Sequence, residues 1–290
     1  MSRFKIGIIG KGFVGSAVAH GFSQSTGYDA KVLIHDKDPG KSLNSLEEIV
    51  KESDLVFISV PTPSNKDGSI NLSILENCID EVYKTATKFK AFDPIYLIRS
   101  TIIPGTSSRL QKKYKNLKIV FNPEFLTERS AFFDFISQTR IVLGSDDVKK
   151  IRKVKKIYQH RFGKSLSFIE TNFESAEMIK YLCNTFFATK VSFMNEMKIL
   201  SDNVGAVWED VVEGFIRDGR VGNSHTSVPG PDGKLGFGGS CFPKDIQAII
   251  DFADKNNINL SVLKGAWKTN LEVRPEKDWE QLKGRAIISD

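Results

Sequence analysis

Cysteine is scarce in this chain of 290 residues: there are three, at positions 78, 183 and 241. An odd, sparse set excludes a disulfide framework and fits a reducing compartment, so the expected location is the cytoplasm. No C-x-x-C or H-x-x-x-H spacing occurs, so no metal is expected. No apolar run approaches the ~18 residues of a membrane span, and no membrane partner is expected. Phe4–Ile9 is short and runs straight into glycines, and is read as a strand and not as a signal peptide. Acidic residues are the minority charge, leaving a net charge of +6. That excess suits a phosphate-bearing ligand but is too dispersed for a nucleic-acid footprint. The longest basic run, Lys149–Lys156, reads as a helix with one solvated face. With 40% hydrophobic and 26% charged residues, the composition is that of a soluble protein with real cores. The length suggests two domains.

What is present begins with an apolar strand, Phe4–Ile9, followed by Gly10-Lys-Gly12-Phe13-Val14-Gly15 and a helical run to about Gln24. A G-x-G-x-x-G between strand and helix has the context in which glycines allow a tight turn and close approach to a pyrophosphate. A second strand, Lys31–His35, ends at Asp36, 21 residues past Gly15, where an acid takes the ribose hydroxyls. A carboxylate there repels the extra phosphate of NADP, so NAD is the expected cofactor. Ser45-Leu-Glu-Glu48 reads as a capping box. Strands and helices then alternate through strand Ser165–Ile169. Such alternation predicts an α/β fold with a Rossmann-like, doubly wound parallel sheet. Ligands then sit at the carboxyl ends of the strands, where loops 61–68, 100–106 and 122–128 fall. If 122–128 is helical, Glu124 and Glu128 share one face; a capped surface helix would read the same way.

Phe173 to about Asn203 predicts one long helix without proline or glycine, apolar on most sides. Such a helix is buried between partners, as a domain spine or a dimer seam. Lys180 and Asn184 lie one turn apart on it, and a lysine among these neighbours must snorkel or find an anion. Further on, Gly236-Phe237-Gly238-Gly-Ser-Cys241-Phe-Pro-Lys-Asp245 leads into another helix. Pro243 suits a first helical position. Cys241 therefore falls at or before a helix N-terminus, where the dipole and Lys244 favour a thiolate. A small buried cysteine beside a turn is the alternative.

Together these segments resemble the UDP-glucose/GDP-mannose dehydrogenase family over nearly the whole chain. The resemblance rests on Gly10–Gly15, Val60-Pro-Thr-Pro63, Ser100-Thr-Ile-Ile-Pro-Gly-Thr106, Asn122-Pro-Glu-Phe-Leu126, Lys180-x-x-x-Asn184, Asn195-Glu196 and Gly236–Asp245, in the family's order. It implies a four-electron oxidation of a nucleotide sugar, UDP-glucose foremost, with two NAD⁺ reduced in turn. Cys241 is implied to form a thiohemiacetal and then a thioester. Lys180 and Asn184 are implied to stabilise the oxyanion, with Lys180 also touching substrate. Asp245, Glu124 and Glu128 are implied for proton handling, with Thr101 ordering water. Cofactor contacts are implied for Gly10, Gly12, Phe13, Val14, Gly15, Asp36, Lys41, Thr62, Thr101 and Glu128. Phe125, Leu126, Phe237 and Gly238 are implied to hold the sugar nucleotide, and Arg220 to reach it across a homodimer built on the 173–203 helix.

The expected domains are a dinucleotide-binding domain at 1–171, a helical central domain at 172–281, and, at 282–290, the linker and first strand of the family's third domain. The loop from Arg220 to Gly236 is longer than in some members. Two other readings compete: a two-electron hydroxyacid dehydrogenase on the same frame, and a non-catalytic cofactor-binding subunit.

Overall fold

The computed structural model describes residues 4–289. Short runs rich in Ile, Val, Leu and Phe form the strands, since β-branched and aromatic side chains fit a pleated surface. They are β1 Lys5–Ile9, β2 Lys31–His35, β3 Leu55–Ile58, β4 Ile95–Ile98, β5 Lys118–Phe121, β6 Arg140–Gly144 and β7 Ser167–Thr171, in the order β2-β1-β3-β4-β5-β6-β7. Strands β3 and β4 are buried at every residue, as expected for strands covered on both faces. Alternate side chains feed two cores. Val56 and Ile58 join Tyr96, Ile98 and Phe121 on one face, while Leu55 and Phe57 join Ile95, Leu97 and Val120 on the other.

The helices that cover these faces are α1 Phe13–Gly21, α2 Leu46–Glu52, α3 Ser73–Phe89, α4 Thr106–Lys113, α5 Ala131–Ile136 and α6 Val148–Phe162. α2, α3 and α4 lie over the first core; α1, α5 and α6 over the second. Ser45 caps α2 in the expected capping box: its side chain accepts from the Glu48 N–H, and Glu48 accepts from the Ser45 N–H. The sheet departs from the all-parallel expectation at one junction, where β5 pairs β6 antiparallel through Phe121 and Gly144. The connection, residues 122–139, holds an irregular segment, a single 3-10 turn at Glu128–Ser130 and the six-residue α5. Asn122, at the end of β5, ties this region together: its carbonyl oxygen accepts from Arg99 Nη1 at 2.8 Å and from the Tyr158 hydroxyl at 2.7 Å, and its Nδ2 donates to Val142 O.

The remaining helices are α7 Phe173–Asn203, α8 Trp208–Ile216, α9 Phe242–Lys255 and α10 Ser261–Val273. α7 is one unbroken helix, as its sequence predicts. The chain forms two compact units, the first comprising 1–62 with 72–180 and the second 63–71 with 181–290. In the second, Ala188, Phe237, Ile246 and Ala266 form one core, and Met194, Trp208 and Val228 another. On α7, Met178, Leu182, Phe186, Phe193 and Leu200 are exposed in the single chain, at 44%, 65%, 61%, 49% and 52%. Residues 282–289 form a turn and not a regular strand; position 290, the last of the expected strand segment, lies outside the described residues. The Ile288 N–H donates to Ser64 O, and the Ser64 N–H to Ala286 O. Among the described residues no helix is long and apolar enough to cross a membrane, and no group of His, Cys, Asp and Glu is suited to a metal.

Candidate active site

The glycine loop joins β1 to α1, and each of its three glycines answers a different constraint. Gly10 has φ +93°, and a Cβ there would stand 2.6 Å from Ser59 O. A Cβ on Gly15 would stand 1.9 Å from Gly10 O, so this glycine is required by the turn itself. Gly12 is different. Its backbone is extended, and a Cβ would meet nothing within 4 Å. The surrounding chain does not demand glycine at 12, which fits a position kept bare for a ligand's phosphates at the start of α1. α1 has no side-chain N-cap. Phe13 and Val14 form its first turn.

Asp36 lies just past β2 and reaches this loop: its Oδ2 accepts from the Lys11 N–H at 2.6 Å and its Oδ1 from the Asp38 N–H at 2.9 Å. A carboxylate held there fits a ribose diol. Lys41 is exposed, with its ammonium 3.5 Å from Asp38. Thr62 is buried, and its hydroxyl donates to Thr101 O at 2.8 Å; the Ser100 hydroxyl donates to Val60 O at 2.6 Å. The loops after β3 and β4 are thereby fastened to each other. The residues present fit a dinucleotide.

The 122–128 segment is not helical. It has no regular secondary structure as far as Thr127, and a single turn of 3-10 helix covers Glu128–Ser130. The Asn122 side chain, which could cap a helix starting at Pro123, is engaged by Arg99, Tyr158 and Val142 O instead. Glu124 and Glu128 therefore share no helical face: Glu124 is 5% exposed, whereas Glu128 lies on the surface. The anion that Lys180 needs is Glu124. Lys180 Nζ donates to Glu124 Oε1 at 2.8 Å and to Glu124 O at 2.7 Å, with both side chains buried. The second carboxylate oxygen accepts from the Leu126 N–H at 2.7 Å. Burial, the largest influence, pushes the Glu124 carboxyl up, but the Lys180 ammonium, the Leu126 N–H and the Arg99 guanidinium together outweigh it and hold the carboxyl below its usual range. Phe125 packs under two cations, 4.5 Å from the Arg140 guanidinium and 5.6 Å from Lys180 Nζ.

In the second unit, Cys241 is the N-cap residue of α9, with Pro243 in the first turn. Its Sγ lies 3.8 Å from the Ser240 hydroxyl. The Asp245 N–H donates to Cys241 O at 2.9 Å, and the fully buried Asp245 carboxylate accepts from Asn184 Nδ2 at 2.6 Å. Lys244, expected to favour a Cys241 thiolate, places its ammonium on Asp245 Oδ1. Cys241 also stands at the positive end of the α9 dipole.

The loop before Cys241 is held by residues that no sequence motif marks. Asn270 accepts from the Phe237 N–H at 2.7 Å and donates to Phe237 O at 3.0 Å. Arg274, 2% exposed, bonds Asp278, Asp232 and Leu235 O. A Cβ on Gly238 would fall 2.5 Å from Arg274 Nη2. Polar residues at the end of a late helix resemble any solvated face, so only the fold exposes this role. Arg220 is exposed and paired with Asp218.

Residues 41–162 match the NAD binding domain of the UDP-glucose/GDP-mannose dehydrogenase family, and residues 174–272 match that family's central domain. The UDP-glucose 6-dehydrogenase of Rickettsia prowazekii is 35% identical over 257 residues, covering 86% of this chain and 57% of the relative. A UDP-glucose dehydrogenase structure from Pyrobaculum islandicum is similar with a TM-score of 0.80 at 27% identity, covering 93% of this chain and 68% of that one. The 3-hydroxyisobutyrate dehydrogenase of Mycobacterium tuberculosis has a TM-score of 0.72 over 95% of both chains, but at 16% identity this is a likeness of fold alone. The chain spans little more than half the length of the curated relatives it matches, 57% for the Rickettsia prowazekii enzyme and 54% for that of Rickettsia typhi.

Two outcomes test these assignments. Gly12→Ala is expected to weaken NADH binding at least tenfold, read by fluorescence titration, at a stability cost of about 1 kcal/mol or less. Gly15→Ala is expected to destabilise by about 1–3 kcal/mol, because the added methyl strikes backbone. The second outcome concerns Glu124. A folded pKa below the unfolded value contributes stability that is full at neutral pH and lost as pH falls through the carboxylate range. Lys180→Met removes the pairing and should cost about 3–5 kcal/mol at pH 7. The orphaned acid then gains from protonation, so urea unfolding should show a smaller loss at pH 5. An equal loss at both pH values would overturn the pairing.

Proposed function

The chain belongs to the UDP-glucose/GDP-mannose dehydrogenase family, and from that premise we propose that it oxidises the C6 alcohol of a nucleotide sugar to a carboxylate. UDP-glucose is the substrate this reading puts first. The observation that carries the proposal is the set at the head of α9: a cysteine at the helix N-cap, joined through Asp245 to the amide of Asn184. A hydroxyacid dehydrogenase has no use for such a nucleophile.

Bound NAD⁺ supplies the acceptor for each of the two hydrides. In the first oxidation the alcohol loses its hydroxyl proton to a carboxylate of the site and becomes an aldehyde. The Cys241 thiolate, favoured by the helix N-terminus, then adds to the aldehyde carbon. The oxygen that becomes negative in this thiohemiacetal needs donors, and Asn184 Nδ2 and Lys180 Nζ are the groups assigned to it. The second hydride leaves that same carbon and the adduct becomes a thioester. Water, ordered in this reading by Thr101, cleaves it to the carboxylate and returns the cysteine. Asp245, Glu124 and Glu128 share the proton handling. Asp36, Lys41, Thr62, Thr101, Glu128 and the glycine loop are assigned to the cofactor, and Phe125, Leu126, Phe237, Gly238 and Arg220 to the sugar nucleotide.

In the same reading residues 1–171 act as the dinucleotide domain and 172–281 as the central domain, in a cytoplasmic homodimer. The exposed apolar stripe of Met178, Leu182, Phe186, Phe193 and Leu200 supports the dimer, because a contiguous apolar face of this kind marks an interface.

With limiting UDP-glucose and excess NAD⁺, two NADH should form per sugar, and Cys241→Ser should prevent release of the uronate. One NADH per sugar, unchanged in Cys241→Ser, would place the chain with two-electron dehydrogenases. Phe186→Glu is expected to convert a dimer to a monomer in light scattering after gel filtration. A monomeric wild type would sink the dimer.

A further inference from the structure

One buried carboxylate of the first unit has no part in the chemistry above. Glu177, on α7, is 0% exposed, and its hydrogen bonds run to backbone and not to a cation. Oε2 accepts from the Gly105 N–H at 2.6 Å and Oε1 from the Ser107 N–H at 2.8 Å. These are the N-cap and second-position amides of α4, whose own cap residue is a glycine at φ +90° with no side chain to offer. A carboxylate from another helix thus supplies the missing cap and meets the positive end of the α4 dipole. Glu174, one turn earlier, accepts from the Ser108 hydroxyl, so two acids of α7 serve the first turn of α4.

The arrangement concerns ligands because of what lies on either side. The loop that enters α4, residues 100–105, is fastened at its near end by Ser100 to Val60 O and by Thr62 to Thr101 O. Glu177 fastens its far end. One turn further along α7, Lys180 fastens the 122–126 loop through Glu124. Successive turns of one helix therefore grip two loops at the carboxyl edge of the sheet, one with a negative group and one with a positive group. Glu177 also fills the α4 N-terminus, which leaves the uncapped start of α1 as the anion-binding end among these two helices.

We propose that Glu177 is a positioning residue for the cofactor: it sets the 100–105 loop, and Thr101 within it, against the helix that carries Lys180. This rests on the function proposed above. The carboxylate is essential to the role, since two inward N–H groups need an acceptor at both oxygens. Glu177→Gln turns an N–H₂ toward one of those amides and removes the dipole's counter-charge.

The test uses the full chain. NADH affinity is measured by fluorescence titration in wild type, Glu177→Gln, Glu177→Asp and Gln111→Ala. Gln111 lies near the C-terminal end of α4, is buried, and bonds Leu117 O and the Ile119 N–H, away from the capped end, so its loss reports the structural cost of disturbing α4 without touching the cap. Glu177→Gln is expected to raise the NADH Kd about tenfold and to lower kcat/KM for NAD⁺ about a hundredfold, with KM for the nucleotide sugar within twofold of wild type. Gln111→Ala is expected to lower the melting temperature and leave the NADH Kd unchanged. Glu177→Asp, which keeps the carboxylate on a shorter arm, should fall between, and it decides by the same numbers if the Gln variant does not fold. An unchanged Kd in both Glu177 variants overturns the positioning role and leaves the proposed function standing. A wild type that binds no NADH overturns both.

Discussion

A charged group taken out of water must be met by another charge or by several hydrogen bonds, and the middle of α7 is built around that requirement. Glu177, Lys180 and Asn184 follow one another at helical spacing, and each is buried. Each is also answered: Glu177 by two backbone amides, Lys180 by Glu124, and Asn184 by Asp245. A buried ion left alone costs several kcal/mol, so the two charged residues demand their partners at defined places. Those partners, Glu124 and the amides that open α4, belong to loops with no regular hydrogen-bond ladder of their own. The loops at the carboxyl edge of the sheet therefore take their shape from α7 as much as from the strands that precede them.

The same argument, applied to space in place of charge, separates the glycines of the first loop. Two are required by the chain's own atoms. The third meets no steric demand from the chain's own atoms, which leaves its space open to a group from outside. That distinction supports the dinucleotide reading more strongly than the motif does, because a glycine-rich turn needs glycines of the first kind only. Asp36 adds to it: a carboxylate bonded to the amide of Lys11 stands beside the loop as a fixed acceptor.

How much of this was legible in the sequence follows from the range of the interactions. The strands, the capping box at Ser45, the limits of α7 and the helix start at Cys241 depend on neighbours a few residues away, and their patterns are readable in order. The antiparallel entry of β6 was not, because alternation of strands and helices does not itself encode strand direction. Nor was the fate of Lys244. Sequence places it three residues from Cys241, and only the geometry shows that Asp245, its neighbour in the chain, takes the ammonium. Glu124 and Glu128 show the limit clearly. Their spacing suits a helix, but the tertiary bonds of Asn122 hold the segment in an irregular course that separates them. Arg274 and Asn270 carried no signal at all, since the loop groups they hold lie 33 to 42 residues away.

The state of the carboxylates constrains any base the proposed chemistry uses. Glu124 has one oxygen on Lys180 and the other on the Leu126 N–H, and its affinity for a proton is low while both bonds last. Glu124 accepts a proton readily only when a partner turns elsewhere. The group that turns need not be lost to the reaction. If Lys180 leaves Glu124 for an oxygen that is becoming negative, the oxyanion gains a donor as the carboxylate gains basicity. Oxyanion stabilisation and proton abstraction are then two consequences of one rearrangement, and a substitution at Lys180 should disturb both.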